Sequence, residues 1–324
     1  MNEAPHRHAD SMPRRMLPVM LLGQLGKHLG FGKQITRFVL DRMFSSMNLE
    51  RAFAGYQPSS HDVFVATFGK SGTNWMMQIA QQIAWRGRAE FRHIHDVVPW
   101  PDSPGPGPIT LEASAALDPS PTGLRVIKTH IDADHVPYSP EATYLTVLRD
   151  PKEVLVSSYY FLGGILGMLS HVTIDDWFEI FARPDAMAGR WAEHTASFWK
   201  WRDRPNALVL DYREVTREPR RSIERVAATM GVALEAAEFD EVVRRSGFEY
   251  MKSHESQFAP PKPPFTKEAD RPKMVRRGQA GGSEELLSRA QQAELDRLCQ
   301  GELRRLGSDF PYAKMFDVVE DASA

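Results

Sequence analysis

Lys70, Ser71, Thr73 and Asn74 fall within five positions of Gly69-Lys70-Ser71-Gly72-Thr73-Asn74-Trp75, directly after the apolar run 63–67. A lysine and three short hydrogen-bonding side chains set among glycines make the composition of an anion-binding turn. Unpaired backbone N–H groups at a helix start point at the anion, and glycine lets the backbone come close. The stretch misses the nucleotide-triphosphatase signature G-x-x-x-x-G-K-[ST], because Phe64 stands where the first glycine belongs. The competing reading is a plain strand–helix turn rich in small polar residues.

Three further clusters carry charge or proton-transfer groups. Lys128 and His130 flank Thr129 just after the apolar run 124–127. Two positions apart on an extended segment, they face the same side, so one can stabilise charge while the other moves a proton. Arg149 closes the run 144–148, and Ser157 follows eight positions later. Arg276 and Arg277 precede Gly278, and two guanidiniums on such a segment can close over a phosphate with bidentate hydrogen bonds. Each cluster also has a bland explanation. His130 is one histidine among 11, Arg149 sits beside an Asp-Pro cap where surface ion pairs form, and Arg276-Arg277 reads as a solvated basic turn.

Position favours the chemical reading. The short apolar runs 63–67, 124–127, 144–148 and 208–210 alternate with stretches of helical period, which predicts an α/β chain with a parallel sheet. We expect a single three-layer domain, a central parallel sheet flanked by helices, with a P-loop-like first turn. Trp75, Met76, Ile79, Ala80 and Ile83 recur at helical spacing, so a helix starts near Gly72. Asp150-Pro151 with Glu153 reads as another start: a cap, a first-turn proline and an acid at the third position. Further helices are expected over 187–201, 219–230, 235–245 and 284–306. Ligands of open α/β sheets bind beyond the carboxyl ends of the strands, where the first turn, His130 and Arg149 all fall. The stretches 99–121, with seven prolines, and 253–282 are expected to be irregular binding loops. We expect residues 1–55 to form a helical extension packed on the domain, 56–312 the domain itself, and 313–324 a tail.

Composition narrows the partners. A formal net charge of −2 over 324 residues argues against nucleic acid and requires any anion to be met by a local cluster of bases. The single cysteine, Cys299, allows no internal disulfide and suits a reducing, cytoplasmic compartment. Arg14-Arg15 precede the apolar run 16–25, but no small-residue cleavage site follows, and the run is too short to span a bilayer. It reads as an amphipathic helix on the domain, with weak membrane-surface contact as the other reading.

Taken in order, these segments resemble the cytosolic sulfotransferases that use 3′-phosphoadenosine-5′-phosphosulfate. The family's Y-P-K-S-G-T-T-W appears as Thr67-Phe68-Gly69-Lys70-Ser71-Gly72-Thr73-Asn74-Trp75, and K-T-H appears intact as Lys128-Thr129-His130. Its arginine and serine eight apart appear as Arg149 and Ser157, and R-K-G-x-x-G as Arg276-Arg277-Gly278-Gln279-Ala280-Gly281. Tyr212 in LDYREV and the stretch Ser246-Gly247-Phe248-Glu249-Tyr250-Met251 match further, and the likeness covers about 62–306. Gly69 replaces a proline, Asn74 a threonine and Arg277 a lysine, while Gly282-Ser283 stands where Asp-Trp is common. The family's C-terminal dimer motif is absent from the sequence, so a homodimer is not carried over.

The resemblance implies a sulfuryl donor bound without metal and released as adenosine 3′,5′-bisphosphate. It makes His130 the base, with Lys70 and Lys128 stabilising growing charge and Ser157 bonding the 3′-phosphate and tethering Lys70. Ser71, Gly72, Thr73 and Asn74 then cradle the 5′-phosphate, and Arg149, Arg276, Arg277 and Gly278 hold the 3′-phosphate. Trp75 and Phe248 stack on adenine, near Tyr212 and Ser246. About four negative charges on the donor meet five bases: Lys70, Lys128, Arg149, Arg276 and Arg277. The acceptor expected is a small molecule or lipid, an apolar alcohol or phenol before an amine or sugar, lined by the two loops and 161–177. A P-loop kinase using Asp211 for Mg²⁺ and an inactive nucleotide-binding scaffold are the rival readings.

Overall fold

The computed structural model describes residues 30–46, 49, 51–105, 107–260, 274 and 278–320. Arg276, Arg277 and the apolar run 16–25 lie outside the described residues. The four runs form strands β1 (Asp62–Ala66), β2 (Arg125–Thr129), β3 (Thr143–Leu148) and β4 (Ala207–Asp211), each within a residue or two of its expected bounds. All pairings are parallel, in the order β2-β1-β3-β4. Among the described residues, the helices of eight residues or more are α1 (Gly32–Ser46), α2 (Thr73–Ala84), α3 (Pro151–Leu166), α4 (Ile174–Phe181), α5 (Met187–Trp199), α6 (Pro219–Thr229), α7 (Ala236–Ser246) and α8 (Arg289–Arg305).

Successive residues of a strand point to opposite faces, and β1 is apolar on both. Val63 and Val65 pack with Met76, Ile79 and Ile83 of α2 on one face. Phe64 and Ala66 pack with Ile127, Tyr144 and Trp201 on the other, and the Phe64 ring stacks on Tyr144 at 5.0 Å. A parallel sheet covered in this way has no solvent face, which is why its strands read as continuous apolar runs. A third core, around Leu155, Trp177, Phe181, Trp191 and Leu295, joins α3, α4, α5 and α8.

Local signals set most helix starts. Asp150 caps α3 by accepting from Lys152 N, with Pro151 in the first turn. The segment 284–306 is corrected at its start: Ser283–Glu285 is a short 3-10 turn, and α8 begins after Ser288, which forms a reciprocal box with Gln291. The proline-rich stretch 99–121 is not wholly irregular, since Thr110 caps a short helix, Leu111–Ala115. Ser283, in place of the tryptophan common at that position, is buried and its hydroxyl donates to Gln292 Oε1 at 3.1 Å. No helix among the described residues is long and apolar enough to cross a membrane.

Candidate active site

β1, β2 and β3 are neighbours, so their carboxyl ends open onto one place. The turn after β1 keeps Lys70 at φ 68°, a left-handed conformation that costs energy for a side chain with a Cβ. Gly72 follows at φ 90° as the residue before α2, with no side chain capping the helix. A Cβ there would sit 3.1 Å from the Tyr212 ring, so the glycine serves both the turn and the contact. Gly69 faces open space, so no packing constraint explains the glycine there. Thr73 is held by Thr67, hydroxyl to hydroxyl at 2.6 Å, which aligns the first turn of the 12-residue α2. Its leading N–H groups have no side-chain cap, the arrangement that can receive an anion. Ser71 Oγ is buried beside them without a hydrogen-bond partner. Burying an unmade hydroxyl bond is costly, and a phosphate oxygen would satisfy it.

Two hydrogen bonds tie the flanking strands to this turn. Arg149, just past β3, donates from Nη1 to Lys70 O at 2.8 Å. His130, just past β2, donates from Nδ1 to Thr67 O at 2.7 Å. Only a donor can face a carbonyl, so Nδ1 carries the proton and Nε2 keeps a free lone pair. Burial, and then the Lys128 charge, hold the imidazole well below its usual pKa, so it is neutral at neutral pH. Asp102 Oδ2 accepts from the His130 backbone N–H at 2.9 Å and so fixes the loop beside it.

Lys128 lies almost fully inside, its ammonium 3.3 Å from the centre of the Trp100 ring and 3.5 Å from His95 Nε2. Burial pushes it down to about 7, and the Asp102 carboxylate opposes the shift. The His130 ring meets Trp100 edge-on at 5.2 Å, so the two expected partners share one indole. The Lys70 ammonium lies 3.6 Å over the Phe161 ring, one helical turn beyond Ser157 on α3. Ser157 itself is half-buried.

At the other end of the turn, Trp75 Nε1 donates to Ser246 O at 2.8 Å, and its ring meets Tyr212 edge-on at 6.2 Å. Tyr212 in turn stacks under the Arg149 guanidinium, 4.2 Å away. Ser246 Oγ is a second buried hydroxyl without a partner. Asn74 Nδ2 reaches Phe258 O at 3.4 Å, which uses one of its two N–H groups and leaves the other for a ligand. Phe248 lies against Gly278, where a Cβ would come within 2.1 Å of the ring. The structure thus gathers Lys70, Ser71, Gly72, Thr73, Trp75, Arg149 and Tyr212 around one turn, with Lys128 and His130 beside it. Ser246 joins them through Trp75, whereas Phe248 and Gly278 form a contact of their own.

Asp211 ends β4, which β3 separates from β1, and it caps the next short helix by accepting from Arg213 N at 2.9 Å. It is committed to the fold two strands away from the turn. Among the described residues no cluster of side chains is arranged to hold a metal ion. Trp177, expected near an acceptor pocket, is buried in the core, where its Nε1 donates to Ser158 Oγ at 3.0 Å. A cavity of about 450 Å³ lies beside the late glycines, lined by Glu153, Arg213 and Gly278, and none of Lys70, Lys128 or His130 faces it.

Sequence reasoning missed Asp102, Trp100, His95 and His194. Trp100 and Asp102 open a proline-rich stretch, a usable signal; His194 gave none. It sits on α5 between Phe68 (5.9 Å) and Phe198 (4.8 Å), and neither ring nitrogen has a hydrogen-bond partner. Burial pushes its pKa down to about 4, so the folded protein holds it neutral while the unfolded chain takes up a proton below about 6.5. Its contribution is complete above pH 6.5 and is lost as pH falls toward 4, by about 3 kcal/mol across that window. Urea titrations at a series of pH values should show this slope, and His194→Leu should flatten it. An unchanged slope in that variant would locate the acid sensitivity elsewhere.

The sequence and the fold both match known proteins. A family model described as "Sulfotransferase domain" matches residues 60–307. Sulfotransferase 2A1 of Macaca fascicularis is 27% identical over 274 residues, 83% of this chain and 94% of that protein. The 3-beta-hydroxysteroid sulfotransferase of Cavia porcellus is 27% identical over 230 residues, 70% of this chain and 74% of that protein. Among solved structures, retinol dehydratase in a complex with retinol and PAP superposes with a TM-score of 0.62 at 21% identity, covering 84% of this chain and 88% of its own. The match of that domain model to most of this chain, together with its parallel sheet, shows that the chain belongs to the sulfotransferase family and is an enzyme of that class.

Proposed function

We propose that the chain moves a sulfuryl group from 3′-phosphoadenosine-5′-phosphosulfate to the hydroxyl of a small, apolar acceptor. The observation that carries this reading is the pair of hydrogen bonds that join the carboxyl ends of β2 and β3 to the turn after β1, His130 to Thr67 O and Arg149 to Lys70 O. They set a base and two cations around one anion cradle. The unpartnered hydroxyls of Ser71 and Ser246 fit a ligand that offers acceptors at both ends of the turn. The donor supplies an activated sulfur and a phosphate leaving group.

The remaining steps belong to side chains. Nε2 of His130 takes the proton of the attacking hydroxyl as the new O–S bond forms and the bond from sulfur to the phosphate oxygen breaks. Lys70 and Lys128, fixed before the reaction, offset the negative charge that grows on the oxygens. Ser157 adds a hydroxyl on the same helix as Phe161. Arg149, with Arg276 and Arg277, meets the 3′-phosphate, and Trp75, Phe248, Tyr212 and Ser246 frame the base. Relatives named for hydroxysteroids and retinol favour an apolar alcohol as acceptor. A kinase reading loses support because the strands beside β1 end in Lys128, His130 and Arg149.

Thermal melting separates the readings. Adenosine 3′,5′-bisphosphate at a hundredfold excess over Kd should stabilise the protein by about 2.7 kcal/mol, with ATP–Mg²⁺ giving far less. With donor present, a screen of alcohols, phenols, amines and sugars should yield sulfated product among the apolar alcohols or phenols, read by mass. Stabilisation by ATP–Mg²⁺ alone, or no sulfated product from any class, would reject the proposal.

A further inference from the structure

Glu153 looks out of place. It is a carboxylate at the third position of α3, buried to 6% exposure, beside a cluster that we read as a phosphate site. A negative charge there repels the ligand unless it serves another purpose. As a third-position acid it suits the helix dipole, but its two oxygens are committed elsewhere. Oε2 accepts from Arg149 Nε at 2.9 Å, and Oε1 accepts from the backbone N–H of Gly281 at 2.6 Å. One rigid carboxylate therefore spans the end of β3 and the late glycine turn.

The consequence for Arg149 is geometric. Its five N–H groups form a planar fork. Glu153 takes the Nε hydrogen, Lys70 O takes one from Nη1, and Tyr212 supports the face at 4.2 Å. Three of the five N–H groups remain for other acceptors, in a plane that these contacts fix. The same carboxylate sets the register of Gly281, three residues beyond Gly278, which lies against Phe248. Arg149 and Gly281 of the late glycine turn are thus held at a set spacing.

We propose that Glu153 is a positioning residue for the donor's 3′-phosphate, bracing Arg149 and the late glycine turn together and so setting the preference for a 3′-phosphorylated donor. The inference rests on the donor reading above, and it extends that reading to a residue that touches no ligand. Two effects compete in a Glu153→Gln variant. Removing the negative charge raises the attraction for an anion, while loosening Arg149 and the turn lowers it. The second should win, because an amide presents only one acceptor oxygen to two donors.

Calorimetric titration of the full chain with adenosine 3′,5′-bisphosphate and with adenosine 5′-monophosphate tests this. Glu153→Gln should weaken bisphosphate binding roughly 10–100-fold, the effect of losing one charge-assisted hydrogen bond, and leave monophosphate binding unchanged. Arg149→Ala should weaken the same preference, and the double variant should lose less than the sum of the two single losses, because the two residues share one contact. Glu153→Asp, which keeps the charge but not the reach, should show the same split between ligands and covers the case in which the glutamine variant folds poorly. Tighter bisphosphate binding, unchanged binding, or equal loss of both ligands would overturn the role of Glu153 while leaving the donor reading intact. A wild-type protein that binds no bisphosphate would overturn both.

Discussion

His130→Ala should lower turnover by roughly 10²–10⁴ while leaving affinity for adenosine 3′,5′-bisphosphate at its wild-type level. The imidazole is oriented for one task. Thr67 O holds Nδ1–H at 2.7 Å, which leaves Nε2 as the lone pair able to take a proton. Burial and the Lys128 charge keep the ring deprotonated well below the usual histidine value, so the base form is present throughout the neutral range. Wild-type turnover should therefore fall on this limb only in acid well below pH 6.5. On the alkaline side it should decline as Lys128, lowered to about 7, loses its charge. The alanine variant keeps the backbone N–H that bonds Asp102, so the loop beside it should hold its place. Steady-state rates as a function of pH, with calorimetry for the bisphosphate, measure both halves. Turnover within a few-fold of wild type would remove His130 from the role of base.

Lys152→Met should destabilise the fold by about 3–5 kcal/mol, the loss expected when one partner of a buried ion pair is removed. Lys152 is buried and bonds Asp296 Oδ1 at 2.5 Å, Asp317 O at 3.0 Å and Asp150 Oδ2 at 3.2 Å. Asp296 is 1% exposed and also accepts from Tyr312 Oη at 2.6 Å and from Val319 N at 2.9 Å. The methionine keeps the volume but strands two buried carboxylates without a cation. The cluster joins α3, α8 and the chain after Tyr312 directly behind Arg149, so the same variant should weaken anchorage of the C-terminal residues. Urea unfolding measures the stability loss, and hydrogen exchange at Val319 measures the anchorage. Adding Asp296→Leu should recover part of the loss, because it removes one uncompensated charge. A drop of less than about 1 kcal/mol in the single variant would mean that water reaches the cluster and screens it.

The amino-acid sequence by itself determined the local structure. Period, caps and turn residues act between near neighbours, so the four strands, the turn Gly69–Trp75 and the Asp150-Pro151 start of α3 were legible without a fold. Placing Lys70, Lys128, His130 and Arg149 at strand ends was legible for the same reason, since each closes an apolar run. Strand order was not, and it is the order β2-β1-β3-β4 that makes those three ends adjacent and leaves Asp211 two strands away. Only tertiary structure decided which partners the charges take. Lys128 finds Trp100 and His95, and Glu153 reaches a glycine 128 residues on. Such pairings depend on distance after folding, which separation along the chain does not encode. A buried ion or imidazole is costly unless its surroundings suit it, so those long-range neighbours set its charge state.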